Sequence, residues 1–98
     1  MNFILNFTTE AKEKIGELKN KPHLEKRFKA VSKALGFLQT NPRHPGLRTH
    51  EYTSFKGPKG EKVFEAYAEQ NTPAAYRIFF YYGPEKNELT IFTVTPHP

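Results

Sequence analysis

Cysteine and aspartate are both missing from this 98-residue sequence, and methionine occurs once. Without cysteine there are no disulfides and no thiolate metal ligands, so a reducing compartment suits the chain. Without aspartate, any carboxylate chemistry falls to glutamate. Long apolar runs are absent too. The opening stretch, Met1 to Phe7, has neither a basic n-region nor a small-residue cleavage site, so it does not read as a signal peptide. Nothing approaches membrane-spanning length. These absences lead to the expectation of a cytoplasmic protein with no membrane partner, and residues 1–98 can build only one core and so one domain.

What is present is aromatic and basic. Nine Phe and five Tyr compensate for an apolar fraction of only 37%. The net charge is +5, and it is unevenly spread. Residues 26–62 carry nine Lys/Arg against Glu51 and Glu61, whereas residues 1–25 are balanced and 63–98 are slightly acidic. Such a middle belt suits a polyanion, because each cation that neutralises a phosphate releases condensed counterions.

Hydrophobic spacing sets the expected elements. Residues 2–7 are β-prone and read as a first strand. Thr8 or Thr9 offers a helix N-cap, and Ala11, Ile15 and Leu18 mark an amphipathic helix to about Lys19. Pro22 suits the first turn of a second helix, in which Leu24, Phe28, Val31, Leu35 and Leu38 step by 4, 3, 4 and 3. The run from Asn41 to Gly46 ends the helices, and Leu47 to Phe55 reads as extended. Three β runs follow, Lys62 to Glu69, Ala75 to Tyr82 and Glu88 to Thr95, separated by turn sequences. The expected fold is α+β, ordered β-α-α-β-β-β-β, with a helical hairpin on one face of an antiparallel sheet.

Strand parity then sorts the side chains by face. Phe64, Ala66 and Ala68 form one apolar set, leaving Glu65 and Tyr67 opposite. Ile78 and Phe80 are the natural core pair of the next strand, so Arg77 points away with Phe79 and Tyr81. In the last strand the parity is ambiguous, because Ile91 is apolar as well as Phe92 and Val94. The choice of Phe92 and Val94 as core puts Thr93, Thr95 and, by extension, His97 on the helix-free face. Glu65, Arg77 and His97 then share that face. A glutamate base, a histidine near its unperturbed pKa of about 6.5 and a permanently charged arginine suit metal-free cleavage of RNA, whose 2′-hydroxyl is the nucleophile. Tyr67 and Tyr81 are candidate stacking partners for bases, and Arg48, Lys56, Lys59 and Lys62 candidate contacts to the RNA backbone. No metal or cofactor is expected, and His23, His44 and His50 read as loop or strand-edge residues rather than ligands.

The segment "AYRIFFYY", a hairpin turn and then "LTIFTVTPHP" resemble the C-terminal half of toxins of the RelE/ParE superfamily. The upstream strand, helical hairpin and "TNPRHPGLR" are similar to that family as well. In RelE-type members the resemblance implies metal-independent cleavage of mRNA in the ribosomal A site and neutralisation by a cognate antitoxin, with DNA contacted only through the toxin–antitoxin complex. It implies that Arg77 is the phosphate-binding arginine and that His97 stands where YoeB-like members carry a functional histidine. Glu65 lies in the region that supplies their glutamate base. Pro98 takes the place of the aromatic that ends those proteins. ParE-like gyrase inhibition, or a member that only binds nucleic acid or protein, is the alternative.

Overall fold

The structure is a computed structural model and describes residues 2–96. Strand β1 (Ile4–Phe7) leads into helix α1 (Thr9–Asn20), a 3-10 turn at Pro22–Leu24 and helix α2 (Glu25–Thr40). A second 3-10 turn at Pro45–Leu47 precedes β2 (His50–Lys56), β3 (Lys62–Tyr67), β4 (Tyr76–Tyr82) and β5 (Glu88–Pro96). The sheet order is β1-β5-β4-β3-β2. The first strand therefore lies on one edge, and the helical hairpin carries the chain across to the opposite edge.

Three of the four strand pairings are antiparallel, as expected, but β1 runs parallel to β5. The reason is the crossover. The two helices carry the chain from β1 to β2 at the far edge, and three antiparallel steps from β2 then bring β5 back beside β1 in the same direction. The other departure is at residues 45–49. Pro45 starts a 3-10 turn, His44 Nδ1 accepts the Gly46 amide at 3.0 Å, and Leu47 is buried as its anchor, so the strand begins only at His50.

The helix stripes make the core as their spacing predicts. Ala11, Leu18, Val31, Ala34 and Leu38 are buried, with Ile15, Leu24, Phe28 and Leu35 packed against them. Facing them from the sheet are Ala66, Ile78, Phe80, Leu89, Ile91 and Val94. The last three residues do not alternate regularly, and the register explains how all three face inward. Phe79 pairs with Thr93 but Phe80 pairs with Ile91, so Phe92 is an extra residue in β5. This β-bulge resolves the parity of the strand. Phe92 does not join the helix-side core. It turns to the opposite face, where its ring lies 5.7 Å from Phe55 and 6.5 Å from Tyr81.

That opposite face carries a second apolar layer. Glu51 pairs with Phe64 and Lys56 with Lys62, so residues 52–55 lie opposite Val63 alone. The slack lets Tyr52 and Phe55 fold over Phe79, with ring centroids 5.0 and 5.1 Å away. Val63 and Phe79 are fully buried beneath.

One residue ties the bulge to the helices. Thr8 Oγ1 caps α1 by accepting the Ala11 amide at 3.0 Å and donates to the Phe92 carbonyl at 2.8 Å. An N-cap is worth about 1 kcal/mol and a further hydrogen bond a similar amount. Thr8→Ala should therefore cost about 1–2 kcal/mol and Thr8→Ser much less, as measured by urea unfolding.

Candidate functional site

Parity places Glu65 and Tyr67 of β3 on the helix-free face, and register brings three neighbours to them. His50 is the cross-strand partner of Glu65, Arg77 that of Tyr67, and Thr95 that of Arg77. The result is a charged cluster drawn from β2, β3 and β4, next to the aromatic layer.

Glu65 is at its centre and is only 1% exposed. A carboxylate removed from water at such a site must be compensated. One side is met by His50, whose Nε2 lies 2.8 Å from Oε1. The other is met by Arg77, whose Nε lies 3.7 Å from Oε2. That separation is attractive but too long for a hydrogen bond, so among the described residues Arg77 Nε has no hydrogen-bond acceptor. Arg77 Nη1 donates to the Glu69 carbonyl at 3.1 Å, and its guanidinium carbon stacks 3.8 Å from the centre of the Tyr67 ring.

The partners of His50 define its protons. Nδ1 is 3.0 Å from the Arg48 carbonyl oxygen, which can only accept, so Nδ1 carries a hydrogen. Nε2 faces a carboxylate, so a further proton lies between Nε2 and Oε1. While Nδ1 donates to Arg48, the pair holds either an imidazolium with a carboxylate or a neutral imidazole with a carboxyl group. Both forms leave Arg77 as a net positive charge at the site. Arg48, which adopts the left-handed conformation (φ 49°) after the Pro45–Leu47 turn, adds a second one. Its guanidinium carbon is 5.5 Å from the Tyr67 ring centre.

Arg77 is itself held from behind. Arg27 of α2 donates to Ala74 O (2.7 Å), Pro73 O (3.1 Å) and Glu69 Oε1 (3.2 Å). Glu69 Oε1 also accepts the Tyr76 amide at 3.1 Å. The loop between β3 and β4 is thereby latched to α2, and it presents the Glu69 carbonyl to Arg77.

Of the residues read from the sequence, Glu65, Tyr67, Arg77 and Arg48 come together. Tyr67 is enclosed by Arg77, Arg48 and the edge-on ring of His50 at 5.8 Å, so its faces serve the cluster rather than lying open. Tyr81 is 7% exposed and is spent on packing against Phe92. Lys56, Lys59 and Lys62 are exposed, but at the other end of the sheet. Lys62 and Tyr67 are five residues apart on one strand, about 17 Å at the rise of an extended chain. His97 lies outside the described residues.

Sequence reasoning passed over His50, Arg27 and Glu69. His50 carried no local signal, because its pairing with Glu65 precedes an irregular stretch of β2. Arg27 meets its partners only through tertiary structure. His44 does not belong to the cluster: it stacks on Phe37 at 4.1 Å and caps the Pro45 turn. Among the described residues, no group of three or more His or Glu stands ready to hold a metal ion. No described helix is long and apolar enough to cross a membrane.

No protein-family model matches this chain, and no curated protein sequence matches it. Solved structures do. A YoeB/ParE toxin from Agrobacterium tumefaciens superposes with a TM-score of 0.71 at 9% identity, covering 97% of this chain and 99% of that one. The archaeal RelE–RelB complex from Pyrococcus horikoshii OT3 gives 0.64 at 12% identity, with 98% and 96% covered. The toxin–antitoxin complex RelBE2 from Mycobacterium tuberculosis gives 0.60 at 22% identity, with 99% and 100% covered. The chain has the RelE/YoeB/ParE toxin fold over its whole described length, as the resemblance in its strands and helical hairpin implied.

The energetics of Glu65 and Arg77 can be tested independently of any activity. Removing one partner of a buried pair leaves the other uncompensated, at a cost of about 3–5 kcal/mol. Glu65→Ala and Arg77→Ala should each destabilise by that order, and the double variant by clearly less than their sum. A double-mutant cycle in guanidinium chloride measures the coupling.

Proposed function

We propose that this protein is the toxin of a toxin–antitoxin pair and a metal-independent endoribonuclease acting on ribosome-associated mRNA. The observation that supports this reading most is the Glu65–Arg77 pair sunk into the helix-free face, with His50 and Arg48 at its rim, on a toxin fold. The antitoxin partner is inferred from the neighbours, two of which are toxin–antitoxin complexes.

The chemistry follows from the roles available. The RNA 2′-hydroxyl attacks the adjacent phosphorus, the bond to the 5′-oxygen breaks, and a 2′,3′-cyclic phosphate and a 5′-hydroxyl remain. The 2′-hydroxyl proton must leave, the 5′-oxygen must gain one, and the phosphoryl oxygens gather charge. Arg77 is the phosphate clamp, since a guanidinium stays charged throughout. The base role belongs to His50 and Glu65 together. Glu65 is 1% exposed and His50 47%, so the proton is taken at His50 Nδ1 in the form that has lost its Nδ1 hydrogen. The contact to the Arg48 carbonyl gives way to the 2′-hydroxyl, and Glu65 stabilises the imidazolium that forms. His97 is the general acid in this reading. The described part of β5 reaches Pro96, which pairs with Tyr76 beside Arg77, and His97 is next in sequence.

Expression in a bacterial host tests the proposal. Wild type should arrest growth and cleave mRNA, with purified activity unchanged by EDTA. Arg77→Ala, His50→Ala, Glu65→Gln and His97→Ala should each lower cleavage by about 10²–10⁴-fold. His50→Ala and Glu65→Gln together should lose little more than either alone, because they act as a unit. Harmless wild type overturns the reading. Intact mRNA with inhibited DNA supercoiling would replace it with gyrase inhibition.

A further inference from the structure

A second feature adjoins the charged cluster on the other side of the β2 edge. Arg43, His44, Pro45, Arg48, Thr49, His50, Phe64 and Tyr82 line a hollow of about 360 Å³. That is within the range of small-ligand sites, which begins at about 300 Å³. Tyr82 and Ile4 are the large hydrophobic residues left exposed among those described, and Tyr82 is 41% exposed. Its ring meets Phe64 edge-on at 5.5 Å, the planes 79° apart, so a flat ligand lying on one ring would meet the other at its edge. Neither Arg43 nor Arg48 is ion-paired to a described residue, and none of the lining residues carries a carboxylate. By register the flanking carboxylates are Glu51, the exposed cross-strand partner of Phe64, and Glu65, the buried partner of His50.

A hollow that combines an exposed aromatic ring with two arginines not ion-paired to described residues is complementary to a flat ring that bears an anion. We propose that this hollow is a nucleotide subsite, with a base stacked on Tyr82 and edged by Phe64 and a phosphate between Arg43 and Arg48. It rests on the reading of the neighbouring cluster as an RNA-cleaving site, and it extends that site. Arg48 and His50 border both, so a nucleotide held here neighbours the one being cut. The three exposed lysines at the far end of the sheet are not needed for this contact.

Titration of isotopically labelled wild-type protein with the four nucleoside 5′-monophosphates, which contain no internucleotide bond to cleave, followed by NMR, tests the subsite. Amides of residues 43, 48, 64 and 82 should shift, and ribose 5-phosphate, which lacks a base, should bind more weakly. Adding Tyr82→Ala should weaken the nucleotides about tenfold, the order of one lost base–aromatic stack, and leave ribose 5-phosphate unchanged. Adding Arg43→Ala should weaken both ligands, and Glu51→Gln should tighten both. Shifts confined to other residues, or equal binding by the Tyr82 and Arg43 variants, overturn the subsite. So does a result in which those variants lose only the affinity for a cognate antitoxin, which would make the hollow a protein contact. The two proposals fail separately. Nucleotide binding here without mRNA cleavage by wild type leaves the subsite standing and removes the nuclease. Cleavage with no nucleotide shifts in the hollow does the reverse.

Discussion

The constraint on which the site depends is the burial of one carboxylate. Glu65 sits on β3, one strand in from the β2 edge, and is 1% exposed, so an unpaired charge there would cost several kcal/mol. Everything around it answers that cost. His50 is drawn to it from the edge strand, Arg77 from the neighbouring strand, and Tyr67 stacks on Arg77 to hold the guanidinium in place. A stability requirement and a chemical arrangement are satisfied by the same contacts. The contact between His50 Nε2 and Glu65 Oε1 helps make the burial tolerable and leaves Nδ1, the ring's other nitrogen, on the side of the Arg48 carbonyl.

Two irregularities shape the space next to this cluster. The extra residue at Phe92 lets Leu89, Ile91 and Val94 all face the helices, while Phe92 joins the other face. The slack in β2 lets Tyr52 and Phe55 close over Phe79. A regular sheet would have left Phe79 exposed and one of the β5 apolar residues without a core. Instead the helix-free face divides along its length, with aromatic packing on one part and charge on the other. The Thr8 side chain, bonded to both α1 and the bulge, links that division to the helices.

How much of this was legible depended on whether a residue's environment is set by regular repetition. The second helix was legible because its apolar residues recur at helical spacing, and every one of them is at or against the core. Glu65 and Arg77 were placed on one face by alternation along β3 and β4, which pair without interruption through those residues. Phe92 was misplaced because alternation fails at a bulge, although Thr93 and Thr95, beyond it, were still placed opposite the helices. His50 was passed over for a related reason: the pairing of β2 shifts after Glu51, so sequence distance from the turn misstates its register. The lysines show the converse. Lys56, Lys59 and Lys62 are close to Glu65 in sequence, yet a strand separates its ends by its full length, and charge counted along the chain did not map onto the site.

The division of the helix-free face bears on the strength of the charged interactions. The cross-strand neighbours of Glu65 are His50 on one side and Phe79 on the other. Phe79 is fully buried, with Tyr52 and Phe55 above it. Water is therefore excluded from one flank of the carboxylate, while the flank towards Arg48 and His50 is open. Coulomb interactions grow as the local dielectric falls, so the apolar half strengthens the attraction between Glu65 and Arg77. The orientation of Arg77 is fixed by Tyr67, by the Glu69 carbonyl and by the Arg27 latch behind it, as the proposed role of phosphate clamp requires. Under the proposed nuclease reading, an arginine held this way would need little reorganisation, which is the condition under which fixed charges stabilise a transition state best.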